Sequence, residues 1–221
     1  MDVQVPTPSC KPDATTTACQ ESRLGRQFAR PIGLTGALIG RLMGVKNAPM
    51  GRLAVERLNI QPDDAVLEIG FGPGRALYWA AQRITTGYVA GVDHSPVMLR
   101  QAARHNRRFM EQGRVEIRLA SVVELPFESG CFSKVFEVNT FHHWPDPVAG
   151  LREVRRVMGD GAVLLLCLRM KPPVVRRWAA PGHSPAEVEE IEALLREVGF
   201  AEIRQEHHRA GREVTCLFAR R

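Results

Sequence analysis

The sequence predicts an α/β fold: a seven-stranded, mostly parallel sheet with helices on both faces, an antiparallel last strand, and a helical cap ahead of the first strand. Three observations carry this. From Asp63 onward, short apolar runs alternate with longer amphipathic segments, the rhythm of strand-helix units on a parallel sheet. Directly behind the first apolar run, GFGPG places Gly70, Gly72 and Gly74 within five residues, a turn whose positive backbone angles glycine enters at little cost. The last two runs are separated only by HHRAGR, whereas a parallel pair needs a crossover of about a dozen residues or more. The final strand is therefore expected to enter as one arm of a hairpin.

In chain order, strands are expected at Ala65 to Ile69, Tyr88 to Val92, Val115 to Leu119, Lys134 to Val138, Ala162 to Leu168, Ala201 to Glu206 and Glu213 to Ala219. Helices are expected at Arg75 to Ile84, Pro96 to Met110, Pro147 to Val157 and Pro185 to Val198, the last begun by Ser184 as N-cap and ended by Gly199. Upstream, residues 1–22 are rich in Pro, Thr and Ser and read as a disordered leader. Residues 23–60 read as an N-terminal helical cap, holding the apolar stretch GLTGALIGRLMG and a helix from Pro49 to Leu58. That stretch spaces Leu34, Leu38, Leu42 and Val45 nearly as a helix does, which suits a lid over a ligand site, a membrane-surface contact, or packing on the body. Residues 61–221 form the main domain.

With 221 residues, 44% hydrophobic and 24% charged, the chain has the composition of a globular protein with one sizeable core. No apolar run approaches the roughly 20 residues that span a bilayer. The leader lacks the apolar core of a secretory signal, so a cytoplasmic protein is expected. The five cysteines, Cys10, Cys19, Cys131, Cys167 and Cys216, are odd in number and widely spaced, which predicts free thiols and no structural metal. The net charge of +6 comes from scattered residues, 26 of the 30 basic ones being Arg, so nucleic acid is not favoured as a partner on charge alone.

The chemistry gathers around the glycine turn. In a dinucleotide loop, GxGxxG, the third glycine falls where this chain has Arg75, so the match to a pyrophosphate site is imperfect. Glu68, two residues ahead of Gly70, would repel a pyrophosphate but receives an ammonium group. Asp93, at the end of the second strand, stands where a carboxylate accepts hydrogen bonds from both ribose hydroxyls. Such charge-assisted bonds contribute about 1.5–3 kcal/mol each.

EIGFGPG followed by GVDHSPVML resembles the cofactor site of class I methyltransferases dependent on S-adenosylmethionine. The resemblance continues through ELPFESGCFSKVF, FHHWPDP and LREVRRVMGDGAVLLL, which are similar to the small-molecule type with its type 11 domain, the group of the ubiquinone and menaquinone methylases. It covers roughly Asp63 to Leu168 and implies a Rossmann-like sheet with S-adenosylmethionine as cofactor. LLREVGFAEIR and EVTCLFARR are similar to the end of that fold, where an antiparallel seventh strand inserts beside the sixth.

Carried over by position, the resemblance places Glu68, Gly70, Phe71, Gly72 and Gly74 around the methionyl part, Asp93 and His94 at the ribose, and Met98 near the adenine. Many relatives have an Asp for the adenine amine where this chain reads ASVVELPF, which puts Ser121 and Val122 there. Asn139 and Thr140 would stand beside the sulfonium, with His142 and His143 towards the substrate as candidate catalytic residues. Transfer is an in-line displacement that mainly needs alignment and exclusion of water, and a phenol or enol acceptor also needs a base of near-neutral pKa. A capping or hydrogen-bonding role for the two histidines stays open beside this one.

Cys167, in LLLCLRM, reads as a small core residue, and His207, His208 and Arg209 as an exposed loop. The expected function is methyl transfer to a small, apolar or aromatic acceptor, at oxygen, nitrogen or carbon. An RNA or DNA methylase lacks support from a [DNS]PPY motif after the fourth strand. A nicotinamide dehydrogenase and a cofactor-binding protein without catalysis remain as further alternatives. The oligomeric state is not legible.

Overall fold

The structure, a computed structural model, describes residues 46–172 and 182–221. The leader, the GLTGALIGRLMG stretch and most of the Pro172 to His183 loop lie outside the described residues. The elements in order are α1 (46–57), β1 (Ala65–Ile69), α2 (Arg75–Ala81), β2 (Tyr88–Asp93), α3 (Pro96–Glu111), β3 (Val115–Leu119) and β4 (Phe132–Val138). After β4 come a 3-10 turn (Phe141–His143), α4 (Pro147–Val157), β5 (Met158–Arg169), α5 (Pro185–Val198), β6 (Ala201–Arg209) and β7 (Glu213–Arg220). All seven strands form one sheet in the order β3-β2-β1-β4-β5-β7-β6. The first five run parallel, and β7 lies antiparallel between β5 and β6.

Strand alternation sends successive side chains to opposite faces, and two cores result. Val66, Phe136, Leu165, Cys167 and Phe218 pack with buried residues of α1, α2 and α3. Leu67, Val135, Leu164, Leu166 and Leu217 pack with those of α4 and α5 on the other face. The cap helix α1 pairs with no strand, yet its Met50, Ala54 and Val55 are buried in the first core. Its Met50 carbonyl lies 3.8 Å from Cys167 Sγ.

Local signals set the helix ends. Ser184 and Glu187 form a reciprocal capping box at α5, and Gly199 ends that helix with a φ of 95°. Asp146 accepts from the Ala149 N–H at 3.0 Å and so opens α4. One expectation is corrected at the last hairpin: His207, His208 and Arg209 belong to β6, opposite Thr215, Val214 and Glu213. The turn between the strands is only 210–212, with Gly211 at φ 70°. Cross-strand pairing, including His207 Nδ1 with Thr215 Oγ1 at 3.1 Å, extends the strand through residues that read as a loop.

Candidate functional site

The strand order reverses between β1 and β4, where a crevice opens beyond the carboxyl ends of the strands. A cavity of about 370 Å³ lies there, within the usual range for a small-molecule site. All the cofactor-side residues expected from the sequence line it except Gly74: Glu68, Gly70, Phe71, Gly72, Asp93, His94, Met98, Ser121, Val122, Asn139 and Thr140. His143 also lines it, and His142 does not.

The turn after β1 is shaped by its three glycines, each for a different reason. Gly70, at φ 71°, lies against Thr140, whose Cγ2 would stand 2.7 Å from an added Cβ. Gly72, at φ 52°, has no protein atom within 4 Å of such a Cβ, so its missing side chain leaves room on the cavity side. Gly74, expected beside the ligand, is not among the cavity-lining residues and is packed against the next helix. A Cβ there would meet Asn106 Nδ2 at 2.6 Å and Ala102 Cβ at 2.7 Å, and Asn106 donates to the Gly74 carbonyl at 2.9 Å. This glycine lets α2 approach α3.

Two buried acids flank the turn. Asp93 Oδ2 accepts from the Gly72 N–H at 2.9 Å and Oδ1 from the Ser95 N–H at 2.8 Å, so the acid fixes the turn while its remaining lone pairs stay available. Burial pushes its carboxyl up, and those backbone N–H groups pull it back down. Glu68 is only 2% exposed, and its Oε2 has no hydrogen-bond partner. Burial pushes this carboxyl well above the usual range, with Asp93 adding to the shift. Asn139, held at φ 56°, also has a buried oxygen without a partner. Two unsatisfied acceptors lining one cavity call for a donor-rich or cationic group.

The segment after β4 builds the opposite wall. Glu137, fully buried in β4, turns its carboxylate over the strand end, where Oε2 accepts from the Thr140 N–H at 2.6 Å, the Thr140 hydroxyl at 3.0 Å and the Phe141 N–H at 3.1 Å. The sequence reading passed over this residue, although an acid inside the apolar run FEV was its signal. Burial pushes its carboxyl up to about 7, against the pull of those hydrogen bonds. The His142 and His143 rings lie 3.9 Å apart, and His142 also faces His183 at 5.8 Å. Burial first, then the two neighbouring imidazoles and Arg169, push His142 down to about 3. It is therefore neutral at any ordinary pH.

Asn47, Ala48 and Gly51 of α1, together with Trp79 and Trp144, also line the cavity, and none of these was expected at the ligand site from the sequence. Gly51 admits the Trp79 ring, whose Cζ3 would lie 3.1 Å from a Cβ. Trp144 packs on Phe141 with ring centroids 4.8 Å apart. Ser121 keeps its place on the wall, and its hydroxyl accepts from the Val123 N–H at 3.4 Å. Among the described residues no cluster of three or more His, Cys, Asp or Glu is arranged to hold a metal. No described helix is long and apolar enough to cross a membrane.

The family model described as "Methyltransferase domain" matches residues 66–161. An uncharacterized methyltransferase YdaC from Bacillus subtilis (strain 168) is 25% identical over 166 residues, 75% of this chain and 87% of the relative. A SAM-dependent methyltransferase from Aquifex aeolicus superposes with a TM-score of 0.63 at 22% identity, covering 77% of this chain and 88% of that one. The Burkholderia thailandensis 1,6-didemethyltoxoflavin-N1-methyltransferase, solved with bound 1,6-didemethyltoxoflavin and S-adenosylhomocysteine, gives 0.64 at 22% identity over 85% and 84% of the two chains.

Proposed function

We propose that the chain is a class I methyltransferase dependent on S-adenosylmethionine, a reading supported by the matched methyltransferase domain and the shared fold, and that it methylates a small, apolar or aromatic acceptor carrying a phenol or enol group. The observation that carries this reading is the make-up of the cavity wall. Trp79, Trp144, Ala48 and Pro145 give it an apolar, partly aromatic surface, and His143 sets one imidazole into that surface.

The roles divide by position. Glu68 and Asn139 hold the ammonium end of the cofactor through their unpartnered oxygens. Asp93 takes the ribose hydroxyls while it secures the Gly72 N–H. Gly72 leaves the space into which the methionyl part fits. The bound cofactor supplies an electrophilic methyl group, and the protein's task is alignment and exclusion of water. His143 accepts the acceptor's proton as the oxygen nucleophile forms. His142, kept neutral beside it, adds no positive charge to oppose that transfer. A purely cationic amine acceptor would call for a carboxylate on the aromatic side, and the acids of this cavity, Glu68 and Asp93, stand at the glycine turn.

The test is transfer of a labelled methyl group from S-adenosylmethionine to a panel of small phenols, enols, amines and carbon acids, with RNA as a separate arm. Labelling of a phenol or enol by the wild-type protein, lost in His143→Ala at unchanged S-adenosylhomocysteine affinity, supports the reading. Labelling confined to amines or to RNA, or tight NAD binding without binding of S-adenosylhomocysteine, overturns it.

A further inference from the structure

We infer that Glu137 is a positioning residue for methyl transfer: one oxygen of its carboxylate gathers three hydrogen bonds and thereby holds the turn that carries Asn139, Thr140 and His143 against the glycine loop. The inference rests on the methyltransferase reading and adds to it a residue outside the cavity wall.

The geometry forms a short chain from the core to the ligand. Glu137 pairs with Ile69 of β1 on one side and Leu166 of β5 on the other, so its backbone is among the best-anchored in the sheet. Its Oε2 binds the two N–H groups that open the 3-10 turn and the Thr140 hydroxyl. Thr140 provides no side-chain cap of its own for that turn, so Glu137 supplies the capping acceptor from three residues upstream. The Ile69 carbonyl lies 3.3 Å from the same Thr140 hydroxyl and shares its single hydrogen with Glu137, and the Thr140 side chain fills the space that Gly70 leaves. The Thr140 carbonyl in turn accepts from the His143 N–H at 2.8 Å. A shift at Glu137 is thus passed to both walls of the cavity.

The chemistry of the group suits an ionised carboxylate. Three donors converge on one oxygen, and the other, Oε1, is buried without a partner. An acceptor-only carboxylate satisfies all three donors, while a protonated acid gives up one of them, turning the Thr140 hydroxyl into its acceptor and that hydroxyl's hydrogen to the Ile69 carbonyl, and an amide puts an N–H group at one of the two oxygen positions. The ionisable groups facing it are Glu68 on the neighbouring β1, whose carboxyl it pushes up further, and Cys167 on β5. Burial places its own titration near neutrality. Protonation at lower pH therefore weakens the hold on the turn.

The experiment measures S-adenosylhomocysteine affinity of the full chain between pH 5.5 and 8.5 for wild type, Glu137→Gln and Glu137→Ala, with the thermal transition followed alongside. Glu137→Gln is expected to bind about tenfold more weakly than wild type at pH 8.5, the effect of one charge-assisted hydrogen bond. The difference is expected to vanish towards pH 5.5, where wild type is itself neutral at this position. Glu137→Ala, which leaves the Thr140 and Phe141 N–H groups without acceptor, is expected to bind more weakly than Glu137→Gln at every pH. A constant ratio between wild type and Glu137→Gln across the range, or equal affinities throughout, overturns the inference and leaves Glu137 a structural residue. Failure of wild type to bind S-adenosylhomocysteine at all would instead overturn the methyltransferase reading, so the two failures are distinct.

Discussion

Replacing Glu68 by Gln should move ligand affinity and fold stability in opposite directions. In the free protein the Glu68 carboxyl is buried, has one oxygen without a partner, and is held well above the usual carboxylate range by burial, then by Asp93. An acid whose folded-state pKa is raised contributes its full stability below the unfolded pKa and loses it as pH rises through the folded value. Glu68→Gln removes that loss, so its advantage over wild type must grow with pH. By pH 9 it should reach about 1 kcal/mol, or roughly 2–4 °C in a domain of this size. The same change deletes the charge proposed to meet the ligand's ammonium. One charge-assisted hydrogen bond contributes about 1.5–3 kcal/mol, so S-adenosylhomocysteine should bind roughly 10- to 150-fold more weakly. Titration calorimetry and thermal unfolding at pH 5 and pH 9 read both effects. Affinity within threefold of wild type, or a stability difference that shrinks as pH rises, would refute the role given to this acid.

The remaining predictions separate ligand-facing residues from packing ones. Gly72→Ala should cost about 1–2 kcal/mol of stability for a side chain at positive φ, yet abolish cofactor binding, because its methyl group occupies cavity space. Gly74→Ala should instead destabilise the fold by more than Gly72→Ala, since its Cβ collides with Asn106 and Ala102, and a lowered thermal midpoint in the absence of ligand reads this. Asp93→Ala should weaken S-adenosylhomocysteine binding by about 2–4 kcal/mol, with Asp93→Asn between it and wild type; unchanged calorimetric affinity in both would remove Asp93 from the site. His142 stays neutral in the folded protein down to about 3, so its contribution to stability is lost as pH falls from the unfolded value towards that point. His142→Ala should flatten the acid side of the stability curve measured by denaturant titration, while His143→Ala should lower turnover at unchanged S-adenosylhomocysteine affinity.

What the sequence disclosed was whatever local spacing encodes. The glycine turn, the acid at the end of β2 and the short gap before β7 each follow from neighbouring residues, and they located the sheet edge on which the cavity opens. What it hid depends on residues distant in the chain. Gly74 looks like its two partners until Asn106, 32 positions on, is seen to donate to its carbonyl. Asn47, Ala48 and Gly51 carry no pattern, and they reach the cavity only because α1 packs on the sheet. His142 and His143 are adjacent in sequence, but a 3-10 turn gives only the second to the cavity. The strand character of His207 to Arg209 comes from pairing with β7, which overrides what those residues prefer alone.

The way α1 is seated bears on how a ligand gets in and out. With Met50 and Ala54 wholly inaccessible and Val55 nearly so, this helix shares one continuous core with β4 and β5. Its amides should exchange with deuterium only as slowly as those of the central strands, through opening of the whole domain. A wall built from the core acts as a fixed jamb, not as the door. Traffic through the cavity then falls to the parts of its rim that carry little buried apolar surface, and turnover can be tuned there without loosening the fold.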